Sequence, residues 1–281
     1  MAPGMSHAND ATRVEQGPHR RTGGLILGLV VLALAVEAPP AQAQPAPSER
    51  VVAWLDLGWR PLSRTFATTQ TLELFSEQGA FQADYAVDGG GIFDGGISVQ
   101  LWRNLAVGLD VSRYRSVNSA RVRSEVPHPF FFDLPRTTTG VVGGLERRET
   151  GLHIRALWVT QLADWLVVSA SFGPSAFNAK QDLISDVEHT EGAFPFSHVL
   201  FTGHRVSSQS ATTLGVNSAV DVNTYLLDRL PFLRNYDKIR HFGLGVQFRY
   251  VRGNVTMPVG DHFADVDLGG FHVTFGSRVR F

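Results

Sequence analysis

The sequence predicts an all-β protein, an eight-stranded antiparallel up-and-down transmembrane β-barrel. Three observations carry this expectation. Apolar residues recur at every second position in eight segments, the period of a strand rather than of a helix. The connections between those segments alternate between short and long. Beyond the N-terminal region, no apolar run reaches the roughly 20 residues that a spanning helix needs.

The N-terminus reads as an address. Arg20 and Arg21 precede the apolar run Leu25 to Val36, and Ala41-Gln42-Ala43 follows. That is the tripartite pattern of a secretory signal peptide, with cleavage expected after Ala43. The run is too short for a membrane anchor, and the Arg pair leaves both general secretory and twin-arginine export open. The expected organisation is therefore a signal peptide over 1–43, a short periplasmic tail over 44–50 and a barrel over 51–281.

Composition narrows the classes. With no cysteine among 281 residues, disulfide frameworks, thiolate metal sites and cysteine nucleophiles are excluded. Lys and Arg total 25 against 26 Asp and Glu, which argues against electrostatic binding of nucleic acid.

The strands follow in order. One face carries Ala53, Leu55, Leu57 and Trp59, then Ile97, Val99 and Leu101, then Leu105, Val107, Leu109 and Val111. Leu152, Ile154, Ala156 and Trp158 come next, followed by Leu166, Val168, Ala170 and Phe172, and by Leu214, Val216, Ser218, Val220 and Val222. The last two strands give Phe242, Leu244, Val246, Phe248 and Tyr250, and Phe271, Val273, Phe275, Ser277, Val279 and Phe281. None of these positions is charged, in a chain that is 18% charged. The opposite face holds Asp56, Arg60, Asp110, Arg155, Asp221, Arg249, Arg278 and Arg280 among glycines and small polar residues.

Such strands suit a soluble sandwich with its apolar face inward or a membrane barrel with that face outward. A charge at the lipid midplane costs roughly 2–4 kcal/mol, which keeps a lipid face clean. A file of glycines facing water would only weaken a soluble sheet. The membrane barrel is therefore expected, its glycines lining a narrow interior.

Tight connections at Trp102-Arg103-Asn104 and Gln161 to Asp164, with a longer one around Leu226 to Lys238, are assigned to the periplasmic side. Long external loops are expected over 61–90, 117–148 and 178–210, with a shorter one over 253–265. This asymmetry is typical of outer-membrane barrels. Trp54, Trp59, Trp102, Trp158, Trp165, Tyr250 and Phe281 are expected near strand ends, as interfacial girdles. Val266 and Leu268 fall out of phase with Phe271 across Gly269-Gly270, which predicts a β-bulge.

The closing strand from Gly270 to Phe281, alternating and ending in Phe, resembles the C-terminal signal of bacterial outer-membrane proteins. Over residues 50 to 281 the chain resembles the small barrel domains of the OmpA-like and OmpW-like group, including their uncharacterised members. That resemblance implies outer-membrane lipid as surroundings, the barrel assembly machinery as a partner reading Phe281, and a monomer. No peptidoglycan-binding domain follows the barrel, so the anchoring role of the full OmpA type is not implied.

Candidate chemistry is sparse. Asp56, Asp110 and Asp221 against Arg155, Arg249 and Arg278 are expected to form a paired network filling the lumen, since eight strands enclose little more than side chains. Ser169, Ser171, His153, His272 and Asp221 could name a hydrolase triad, but their inward phase removes them from lipid. Asp182, Asp186, Glu188, His189 and Glu191 match no cation loop and read as a solvated segment. Pro127 to Pro135 places Phe130, Phe131 and Phe132 in a loop, either exposed to a partner or folded over the barrel mouth. The glycine runs at 89–91 and 143–144 fit no phosphate-binding pattern.

No cofactor, metal or catalytic residue is expected. The expected role is structural or surface interaction through the external loops. A small-solute or ion channel is the alternative, and a lipid-modifying enzyme stands third.

Overall fold

The computed structural model of the protein describes residues 50–61, 63–226, 241–260 and 262–281. The signal-peptide region, the cleavage position after Ala43 and most of the Leu226 to Lys238 connection lie outside the described residues.

Ten strands run in chain order: β1 (Val51–Arg60), β2 (Arg64–Leu74), β3 (Glu77–Val87), β4 (Gly90–Trp102), β5 (Leu105–Val126), β6 (Arg136–Ala163), β7 (Leu166–Glu191), β8 (Val199–Thr224), β9 (Phe242–Val259) and β10 (His262–Arg280). Eight of them close a ring: β1 pairs with β4, β4 with β5, and so on through β10, which pairs back with β1, every pair antiparallel. Closure is completed where Val51 and Phe281 exchange backbone hydrogen bonds of 3.1 and 2.8 Å. The remaining two strands form a hairpin, and β3 pairs with β5 from Ala80↔Glu125 to Ala86↔Ser119.

The outward side of the lower barrel is the alternating apolar face of the sequence. Leu105, Val107, Leu109 and Val111 on β5 are exposed, as are Leu152, Ile154 and Trp158 on β6 and Leu244, Val246, Phe248 and Tyr250 on β9. A ring of such residues facing away from the protein is what a hydrocarbon solvent selects.

The strands do not stop at the belt. β6, β7 and β8 run for 28, 26 and 26 residues, where crossing a bilayer takes about 9–11. The segments expected as long external loops are therefore largely strand; among the described residues the longest irregular connections in them are 127–135 and 192–198. Their alternation escapes notice because its sense inverts. On β9, Phe248 and Tyr250 point out and Gln247 and Arg249 point in; further along, Arg252, Asn254 and Thr256 point out while Val251, Val255 and Met257 are buried. Water has replaced lipid outside, so the apolar residues move inside.

The same inversion explains β10. Its pairing with β9 runs from His262↔Val259 to Val279↔Phe242 without a shift, so the expected β-bulge at Gly269-Gly270 is absent. Val266 and Leu268 share the inward face with His272 and Thr274. They looked out of phase because the interior changes from polar to apolar at that point. The two glycines have φ of 80° and 134°, and the N–H of Gly269 turns inward to donate to Glu149 Oε2 at 3.1 Å.

Above the belt the inward residues form an apolar core that includes Phe81, Tyr85, Leu183, Met257, Val266 and Leu268. The β2–β3 hairpin supplies part of it, taking up the wall where β1 and β4 end. Each fully buried side chain of this size stabilises the extension by about 1.5–3 kcal/mol. The upper barrel thus holds itself together as a soluble β-barrel does.

Candidate functional site: the packed interior and the apex

The inward side chains build three layers. In the lowest, Arg278 reaches across to Asp56, donating through Nη2 to Oδ2 at 2.9 Å and through Nη1 to Oδ1. Arg278 Nε also donates to Asn223 Oδ1 at 2.8 Å, and its Nη2 lies 3.9 Å from Asp221. Asp221 accepts from Gln247 at 2.6 Å and faces Arg155 Nη1 at 3.3 Å. Arg155 Nε lies 3.0 Å from Asp110 as an ion pair without hydrogen-bond alignment. Asp110 then accepts from Arg249 Nη2, and Arg249 Nη1 donates to Asp94 Oδ2 at 2.7 Å.

All six residues named from the sequence, Asp56, Asp110, Arg155, Asp221, Arg249 and Arg278, therefore belong to one continuous chain of ion pairs. Two members were missed. Asp94 sits on β4 ahead of Gly95-Gly96, which hide the alternation; Phe93 pointing outward is the signal that places it inside. Trp54, expected in a girdle, is instead buried in the lumen. Its Nε1 donates to Asp94 Oδ1 at 3.1 Å and its ring lies 4.7 Å from the Arg155 guanidinium. Gly96 makes the room, since a Cβ there would meet the indole at 2.6 Å. Trp59, Trp102, Trp158 and Phe281 do face outward.

The middle layer centres on His153, whose Nε2 lies 2.8 Å from Ser112 Oγ and whose Nδ1 lies 2.7 Å from Ser175 Oγ. Asn217 donates to the same Ser175 at 2.9 Å. The residues weighed for acyl chemistry are not assembled. Ser171 donates to the Ala219 carbonyl at 3.5 Å, Asp221 is taken up by Arg155, Arg278 and Gln247, and neither ring nitrogen of His272 has a hydrogen-bond partner among the described residues.

The upper layer marks the change of polarity. Arg60 clamps Glu149 through Nη1 and Nη2 at 3.1 and 2.7 Å, Arg147 Nε donates to it at 2.7 Å, and the Arg60 guanidinium lies 3.5 Å from the Tyr114 ring centroid. Arg147 was missed because it fell in the loop expected over 117–148, and Glu149 because it lay between that loop and the strand read from Gly151 and Leu152. Among the described residues, the buried carboxylates of the three layers, Asp56, Asp94, Asp110, Asp221 and Glu149, each face buried guanidiniums of Arg60, Arg147, Arg155, Arg249 and Arg278, and the half-buried Arg64 stands beside the upper layer. Matching of this kind offsets much of the desolvation cost of burying them.

At the apex the two irregular segments are clipped together. Arg136 donates to the carbonyls of Phe196 and Pro127 at 2.8 and 2.6 Å and forms a bidentate pair with Glu191. The backbone N–H groups of Phe130 and Phe131 approach His128 Nδ1 at 3.2 and 3.3 Å, so Nε2 carries the proton donated to the Pro195 carbonyl at 3.2 Å. A cavity of about 450 Å³ lies between the segments, lined by His128, Phe131, Leu134, Arg136, His198 and Val199 among others. Phe130, Phe131 and Phe132 are exposed rather than folded into the mouth, and Phe194 joins them at 82% exposure. The acidic run from Asp182 to Glu191 lies within β7, with Asp186 and Glu188 at 3.9 and 3.6 Å from Arg205.

The hydrogen bond from Arg136 holds the Glu191 carboxyl below the usual carboxylate range, against the opposing effect of burial. A depressed folded-state value stabilises the closed apex above the ordinary Glu value of about 4.3 and loses that contribution as pH falls through the depressed one. Hydrogen exchange of residues 127–135 and 192–198, corrected for intrinsic rates, is expected to be faster in Glu191→Gln than in the parent at neutral pH. The two should converge well below pH 4. Equal exchange at neutral pH would show that the pair does not hold the apex.

A closed antiparallel ring of eight strands, with an outward apolar belt and a matched, buried charge network, defines a transmembrane β-barrel of the outer-membrane class. The sequence matches no protein-family model and no curated protein. Among solved structures the chain is similar to the Neisserial surface protein A, with 12% identity over 82% of this chain and 97% of that one and a TM-score of 0.37. It is also similar to the outer membrane protein OprG from Pseudomonas aeruginosa, with 8% identity, 83% and 96% coverage and a TM-score of 0.44. A third is Ail, the attachment invasion locus protein of Yersinia pestis, with 9% identity, 83% and 99% coverage and a TM-score of 0.34.

Proposed function

We propose that this chain is an integral barrel of the bacterial outer membrane that works as a rigid, non-catalytic surface platform rather than as a conduit. The observation that carries this reading is the occlusion of the interior. Asp56, Asp94, Asp110, His153, Arg155, Arg249 and Arg278 are all exposed by 2% or less, so water barely touches these side chains. The apolar core above them is a second seal in series.

The extension supports the platform role. From Arg113 to Val126, β5 rises roughly 30 Å beyond the belt once strand tilt is allowed for. It carries the aromatic apex well clear of the membrane surface. Exposed aromatic clusters of this kind mark interaction surfaces.

Single-channel recording in planar bilayers tests the reading. The refolded protein is expected to give no stepwise conductance, and Arg155→Ala with Arg249→Ala together, which remove two of the three buried plug arginines, are expected to leave it closed because the apolar core above still seals the interior. Stepwise conductance from the parent protein would replace the platform by a channel.

A further inference from the structure

Just above the apolar belt, on the β5–β6–β7 face, three cations stand in one cross-strand row. Arg115 pairs with Arg148 and Arg148 pairs with Lys180, and all three side chains point outward. Directly opposed like charges destabilise a sheet. Arg113, one outward step below Arg115, extends the group toward the membrane.

The internal answer to this charge is incomplete. Glu146 alone serves both Arg115 and Arg148, each at 2.6 Å. Arg113 and Lys180 have no ion pair among the described residues. The neighbouring Asp182 is turned to other duties, accepting from the backbone N–H of Glu146 at 3.0 Å and from the Ser208 hydroxyl. The row therefore carries a positive excess that the fold leaves open.

Its height is informative. Arg113 lies two residues past Val111, the last lipid-facing residue of β5, which is about 7 Å along the strand. Arg148 and Lys180 lie four residues past Leu152 and Ala176, about 13 Å along strands that are themselves tilted. That is the level of the outer-leaflet headgroups. Guanidinium forks and an ammonium at that level fit phosphate oxygens.

We propose that Arg113, Arg115, Arg148 and Lys180 form a docking site for the phosphate groups of outer-leaflet lipid, and that lipid bound there supplies the counter-charge this row lacks. The site rests on the membrane-barrel reading above and goes beyond it by naming a lipid chemistry and the face that takes it.

The test uses the full barrel in phosphatidylcholine bilayers, with electron spin resonance of spin-labelled phosphatidic acid against spin-labelled phosphatidylcholine at the protein boundary. The expected result is selectivity for the phosphomonoester lipid, lowered by salt and falling roughly fivefold for each cation removed in Arg113→Gln, Arg115→Gln and Lys180→Gln. Millimolar inorganic phosphate is expected not to displace the lipid. Unchanged selectivity in the triple variant overturns the site, and displacement by inorganic phosphate overturns the lipid as its ligand. A protein that shows no immobilised boundary lipid of either kind overturns the membrane reading as well, which separates the two failures.

Discussion

Arg249→Met is expected to destabilise the barrel by about 3–5 kcal/mol, the cost of leaving buried carboxylates without their cation. Arg249 holds Asp94 through Nη1 at 2.7 Å and Asp110 through Nη2, and all three side chains are essentially inaccessible. Asp110 keeps Arg155 beside it at 3.0 Å. Asp94 keeps, as its remaining hydrogen-bond donor among the described residues, the Trp54 indole at 3.1 Å. Most of the loss should therefore come from Asp94, and the double variant Arg249→Met with Asp94→Asn should recover a large part of it. Guanidinium unfolding of the refolded protein in lipid vesicles measures both. A single variant as stable as the parent would mean that the lumen is hydrated and the network is not structural.

The second large effect concerns two residues on the same face of one strand. Leu109 and Val117 both point outward from β5, at 48% and 57% exposure. Leu109 lies in the belt, where an arginine is expected to cost about 2–4 kcal/mol. Val117 lies above it, where an arginine meets water and should stay within about 0.5 kcal/mol of the parent. Solvent accessibility does not distinguish these positions; only the surrounding solvent does. Equal costs at both sites would contradict the membrane boundary that the outward face places between Val111 and Arg113.

Much of the lower barrel was legible in the sequence. Lipid outside and a narrow interior impose one rule on every strand, so Leu105 to Val111 and Phe242 to Tyr250 betray their register by period alone. The six lumen charges followed from the same parity. Asp94 did not, because Gly95 and Gly96 blank the apolar face just where the pattern should announce the strand. Trp54 misled for a different reason: aromatics are common at membrane interfaces, and that expectation was set above its parity, which between the outward Ala53 and Leu55 already points it inward.

The upper barrel was misread as loop, and Val266 and Leu268 as a slipped register, for one shared cause. A strand leaving the bilayer keeps its period and reverses its polarity. Over a short window this looks like a broken pattern. The ladder from His262↔Val259 to Val279↔Phe242 shows an unbroken strand passing between two solvents.

The sequence by itself therefore determined which residues alternate, and hence the ring of eight strands, its lipid face and the parity of its buried charges, because those depend on a period that one chain segment carries alone. Tertiary structure decided what the parity could not. It set which carboxylate meets which guanidinium, where the interior turns from polar to apolar, how the β2–β3 hairpin completes the wall, and how Arg115, Arg148 and Lys180 come to stand in one row. Each of these depends on register between strands distant in sequence, and register is set by closing the barrel rather than by any strand on its own.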